Sequence, residues 1–270
     1  MLTPILSTLA SFVAAISYGL GFFFQRQNLT TDHQNRNRVL ATGTVAVATH
    51  FVVILLITLQ PQGIDFGFSK VASLVSWVIV VAVLMSSWKK PLDNLFLYLF
   101  PLALVCLLAS VILPSPYDPV ENLSAGVGLH ILLGILAVSI MTIAAFQAVL
   151  ISFMNRLLKE KRSLTLVSHL PPLETMEALL FEMLWLGLLL LTGVLLTGVM
   201  FMEDFLGQHL SHKAVLSSIS WLVFAILLWG RHQLGWRGKT ANRWILTGFA
   251  FLILAYFGSK FVLEIILDRV

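Results

Sequence analysis

Apolar and polar positions divide the chain into eight long apolar stretches joined by short polar connections. The stretches run from Thr3 to Phe24, Val39 to Leu59, Val71 to Ser87, Leu95 to Leu113, Val127 to Phe153, Ala178 to Met202, Ala214 to Trp229 and Trp244 to Leu267. Each is close to the roughly 17–25 residues a helix needs to cross a hydrocarbon core. Backbone polar groups find no water in lipid, so continuous runs of this length predict helices. The alternation of a membrane-spanning β-strand is absent. The pattern therefore predicts an all-α, polytopic membrane protein of about eight transmembrane helices. The connections are too short to hold a folded extramembrane domain. Residues 1–270 read as a single transmembrane domain, with four helices in 1–125 and four in 126–270.

Composition agrees with lipid as the solvent. Apolar residues make up 58% of the chain and charged residues 11%, against about 25% charged in a soluble domain. Mean hydropathy is +0.92. The net charge of +4 is read as loops held on the cytoplasmic side of a membrane rather than as a nucleic-acid surface. With the N-terminus outside, the inward connections are 25–38, 88–94, 154–177 and 230–243. They hold 13 of the 17 basic residues, and the outward side keeps Lys70, Lys213, Lys260 and Arg269. This asymmetry predicts an N-out, C-out, multi-pass protein of the cytoplasmic (inner) membrane. No positive residue precedes the first apolar run, whereas Arg26, Arg36 and Arg38 follow it, which predicts a retained helix rather than a cleaved signal.

Candidate chemistry is sparse. Cys106, the single cysteine, lies in an apolar run and reads as a packing residue. No Ser/His/Asp or zinc-hydrolase motif and no phosphate-binding glycine loop occurs, so no enzymatic activity is expected. Of seven histidines, His33, His169 and His232 fall in inward loops and His209 in an outward one. His50 sits midway along the second apolar run, about 15 Å from its outer end. His130 opens the fifth run and His212 the seventh, which places both in the outer leaflet. Ionisable groups within a bilayer are costly and face a cavity or a partner. Two imidazoles on different helices facing one cavity would hold a heme iron between them; interhelical hydrogen bonding or interfacial placement is the alternative.

The acids support rival readings. Glu174, Glu177 and Glu182 enter the sixth helix from the inner side, and Lys260 and Glu264 are spaced to neutralise each other. A non-heme transporter or ion-pathway subunit would use Glu182 and the Lys260–Glu264 pair. A membrane regulator would hold a cytoplasmic partner through Arg156, Lys159, Lys161 and Arg162. The seven tryptophans fall mostly toward helix ends, as in an interfacial aromatic belt.

The stretch from HKAVLSSISW through GWRGKTANRW to AYFGSKFVLE, together with GLHILLGILAVSIMTIAAFQAVLISFMNRLLK before it, resembles the cytochrome c assembly superfamily of membrane heme-handling proteins. Within it, the likeness is to the YpjD/HemX branch. The resemblance covers about Leu129 to Glu264, and the preceding helices fit that branch's eight-helix plan. It implies heme as cofactor, with His130 at the first flanking-histidine position and His50 or His212 as its companion. Three features of the heme-delivering members are missing. The tryptophan-rich segment before HKAVLS is here FMEDFLGQHLS, the second flanking position falls in IILDRV without a histidine, and a histidine near the inner end of the seventh helix gives way around Trp229. The resemblance thus implies a heme-binding or heme-handling membrane protein that is not itself a heme ligase. Its expected partners are the bilayer, heme and a membrane or cytoplasmic protein.

Overall fold

The structure, a computed structural model, describes residues 2–30, 35–113, 119–160, 170–201 and 211–258, with side chains described for all of these but 2–4, 29, 30, 211 and 212. Eight helices among the described residues are long and apolar enough to cross a membrane. They are α1 (Leu2–Thr30), α2 (Arg36–Thr58), α3 (Phe68–Ser87), α4 (Phe96–Ile112), α5 (Ala125–Lys159), α6 (Leu173–Phe201), α7 (Ser211–Leu234) and α8 (Gly238–Ile253). Two of these fall short of a full crossing as α-helix alone. A 3₁₀ turn at Asp93–Leu95 extends α4 to a 20-residue span, and a π turn at Leu254–Gly258 extends α8 to 21 residues. At 1.5 Å per residue, both then reach the ~30 Å of a hydrocarbon core. The last expected stretch, Trp244 to Leu267, is described only as far as Gly258, and its helix begins earlier, at Gly238.

The chain folds as two compact units, one built on Met1–Asn122 and the other on Leu123–Val167 with Pro171–Leu267. In the first, α1 packs along α2 and α4, while α3 packs against α2 and α4. Lipid tails are as apolar as leucine, so helices associate through close packing and interhelical hydrogen bonds. Phe100 of α4 shows how. A Cβ on Gly21 of α1 would lie 2.6 Å from its ring and one on Gly43 of α2 3.2 Å, so the absence of side chains there admits the phenyl group. Large apolar side chains such as Phe12 (69% exposed) and Val105 (64%) point away from the unit, as lipid-facing positions must.

One end of this unit is closed by a feature absent from the hydropathy pattern. A two-residue hairpin pairs Leu59–Gln60 with Gly63–Ile64, and Ile64 bridges to Val120, ahead of α5. Ile64 and Val120 exchange both backbone hydrogen bonds, at 3.1 and 2.9 Å. Gly63 has a φ of +135°, and a Cβ there would lie 2.3 Å from the Val120 carbonyl oxygen; only glycine meets both conditions. Beneath the hairpin, Lys70 forms an ion pair with Asp65. Asp65 also accepts from the Gly67 backbone N–H at 2.8 Å and from Gln60 Nε2 at 3.3 Å.

In the second unit, α5 packs along α6 and α8, α7 packs on α6 and α8, and the π turn rests on α7 and α8. Ser124 caps α5 by accepting from the Val127 N–H at 3.4 Å. The α7–α8 connection is the GWRG block. Gly235 and Gly238 take left-handed φ values of +66° and +56°, and Trp236 stacks on Trp244 with centroids 5.4 Å apart. Two other tryptophans depart from the expected belt. Trp77 and Trp221 sit midway along α3 and α7, where their indole N–H groups donate to Val47 O at 2.9 Å and Thr192 Oγ1 at 2.8 Å.

Candidate functional site

His50 lies at the centre of the first unit, fully buried. Its Nδ1 shares a 3.0 Å hydrogen bond with Tyr18 OH of α1, and its Nε2 shares a 2.8 Å bond with Ser73 Oγ of α3. A neutral imidazole donates from one nitrogen and accepts at the other, so one hydroxyl gives a proton and the other receives one. The Tyr18 ring meets the imidazole edge-on at 5.8 Å and Phe100 at 5.7 Å. This knot joins α1, α2 and α3, with α4 packed against it. Both ring nitrogens of His50 are engaged by the protein's own hydroxyls, and iron ligation would require one of those bonds to be given up.

His130 is placed differently. It lies one and a half turns into α5, half-buried. Its Nδ1 is 3.1 Å from Thr197 Oγ1, near the C-terminal end of α6. Among the described residues, Nε2 has no hydrogen-bond partner. One turn along the same face, Gly134 leaves room for Tyr256 of the π turn; a Cβ there would lie 3.3 Å from the tyrosine ring. Gly126 likewise admits Phe201, whose ring would stand 2.4 Å from a Cβ. His130, Thr197, Gly134 and Tyr256 thus gather at one end of this unit. A single half-buried imidazole with a spare nitrogen fits the role of an axial heme ligand.

His212 is the second residue of α7, in the same unit, and its side chain lies outside the described residues. His33, His169, His209 and the Lys260–Glu264 pair also lie outside them. His232, in the last turn of α7, is exposed, and so is Glu182 on α6. Glu177 pairs with Arg237 at 3.5 Å, and Arg231 stands 4.5 Å over the Phe181 ring. Among the described residues, no three His, Cys, Asp or Glu side chains come together as a metal site.

Sequence reasoning missed Tyr18, Ser73, Thr197 and Tyr256. Each is a hydroxyl residue in an apolar helix, with nothing local to mark its partner. Asp65 was missed too, although its place five residues before a lone membrane-edge lysine was a usable signal.

The profile of the family described as Cytochrome C assembly protein matches residues 39–267. The inner membrane protein YpjD of Escherichia coli (strain K12) is 29% identical over 233 residues, covering 86% of this chain and 88% of that protein. A 28.8 kDa protein of Azospirillum brasilense is 32% identical over 143 residues, 52% of this chain and 53% of its own length. Protein HemX of Brevibacillus brevis is 24% identical over 190 residues, covering 68% and 69%. No solved structure matches the chain.

Proposed function

We propose a heme-handling role for this chain, proceeding from the fact that it belongs to the cytochrome C assembly protein family. It is a multi-pass protein of the inner membrane, as its relative YpjD is. It binds heme as a carrier, exporter, sensor or accessory of heme metabolism, and performs no catalysis of its own. The segment before α7 carries no tryptophan-rich stretch, which sets it apart from a ligase that attaches heme to apocytochrome.

The observation that carries this reading is the uncommitted Nε2 of His130, whose Nδ1 is held by Thr197. His130 and His212, at the start of α7 in the same unit, are the residues that would hold the heme iron. His50 supports the fold. Heme, when bound, supplies the iron and its redox chemistry; the chain's residues ligate, orient and shield it. With the N-terminus outside, the His130 end of the second unit faces the periplasm and the 13 basic residues of the inward connections face the cytoplasm.

The test is an absorption spectrum of detergent-purified full-length protein, oxidised and reduced, with heme quantified. The wild type carries a Soret band, and His130→Ala loses most of it. A protein that purifies colourless from heme-replete cells, and takes up no added hemin, defeats the reading and favours a non-heme pathway through Glu182.

A further inference from the structure

The contact between His130 and Thr197 contains more than a distance. The Thr197 hydroxyl lies 2.7 Å from the Gly193 carbonyl and 3.1 Å from that of Val194, one turn back along α6. A hydroxyl has one proton, and a carbonyl can only accept. With that proton donated back to its own helix, Thr197 Oγ1 meets His130 Nδ1 as an acceptor, and Nδ1 must carry the hydrogen. The reverse arrangement, in which the hydroxyl donates to Nδ1, forgoes the bond to the Gly193 carbonyl. The Nδ1–H form makes two hydrogen bonds where the alternative makes one.

We propose that Thr197 is a positioning residue that locks His130 in its Nδ1–H tautomer, so that Nε2 presents its lone pair for axial ligation of heme iron. The proposal rests on the heme-handling reading. Second-sphere acceptors on ligand imidazoles fix the tautomer, orient the ring and raise its basicity, and their loss costs about 10–100-fold in metal affinity. Here the acceptor is neutral and is itself polarised by donation to a helix carbonyl. The chain thereby holds one nitrogen in the ligating state before heme arrives. His50 offers the internal contrast, with a hydroxyl on each nitrogen.

Two measurements test this. The first needs no heme. In apo full-length protein labelled with ¹⁵N-histidine, the His130 signals, identified by their absence from His130→Gln, show a protonated Nδ1 and a bare Nε2. A protonated Nε2 overturns the proposal. The second is hemin titration of Thr197→Val and Thr197→Ser. The valine variant, which keeps the shape without the oxygen, loses about 10–100-fold in heme affinity, and its bound heme shows a raised reduction potential because the imidazole is a poorer donor. The serine variant restores both. Wild-type affinity and potential in the valine variant, while His130→Ala loses heme, overturn the tautomer lock and leave the heme reading standing. Full heme retention in His130→Ala overturns His130 as a heme ligand, and this proposal with it.

Discussion

His50 in the first unit and His130 in the second differ in burial and in how many ring nitrogens are bonded. In the first unit His50 is fully buried and both its ring nitrogens are bonded to hydroxyls from neighbouring helices. In the second, His130 is half-buried and has one nitrogen bonded and one bare. An imidazole with both valences satisfied is a cross-link between helices. One with a single valence satisfied is oriented but still reactive. Depth in the membrane, which singles out His50 from sequence, selects for satisfaction, since an unpaired polar group in a dry interior is what the protein must avoid. Function is better sought where the protein has stopped one bond short.

The contrast separates a histidine that ties helices together from one with a ring nitrogen to spare, and substitutions test that division. The largest stability effect belongs to Lys70→Ala, which leaves the nearly buried Asp65 carboxylate without its counter-ion. Breaking such a pair costs about 3–5 kcal/mol, read as a lowered unfolding midpoint in detergent. The double variant Lys70→Met with Asp65→Asn recovers most of it, and the folded fraction of either keeps the wild-type heme spectrum. Gly21→Ala comes next, because its Cβ has nowhere to go but the Phe100 ring; overpacking of this kind costs about 1–3 kcal/mol. His50→Ala removes two interhelical hydrogen bonds, each worth about 0.6 kcal/mol and at most about 1.7 in membrane proteins. It lowers stability and leaves heme binding intact, the opposite of His130→Ala. Loss of heme from a stably folded His50→Ala protein would erase the distinction. The smallest effect is that of Gly134→Ala, where the Tyr256 ring has to retreat by a few tenths of an ångström. Heme affinity should fall by less than about fivefold, the equivalent of 1 kcal/mol. A total loss there would place Tyr256 against the bound ligand.

Much of the architecture was legible in the sequence, and for a physical reason. Lipid imposes one requirement on every crossing segment, that it be long, apolar and helical, so counting such runs recovers all eight helices. The two spans that do not complete as α-helix show the limit. Hydropathy counts residues and cannot see the 3₁₀ turn before α4 or the π turn after α8. The position of His130 near the start of α5 was legible, because a histidine inside an apolar run stands out. Its partner was not. Thr197 is 67 residues away, and threonine in a membrane helix ordinarily bonds to its own backbone, as Thr192 does to Leu188. Ser73 and Tyr18 hid in the same way. Lys70 read as a stray cation on the outward side, because its compensating Asp65 lies in the connection before α3, where a carboxylate attracts no notice.

The Ile64–Val120 bridge bears on how the polypeptide is made. Four helices and the link beyond them must leave the ribosome before Val120 reaches Ile64, so the first unit's rim stays open until just ahead of α5. A nascent chain arrested short of residue 120 has its hairpin but not the strand that fastens it. The strand that fastens the hairpin is thus made after all four helices of the first unit and just ahead of α5.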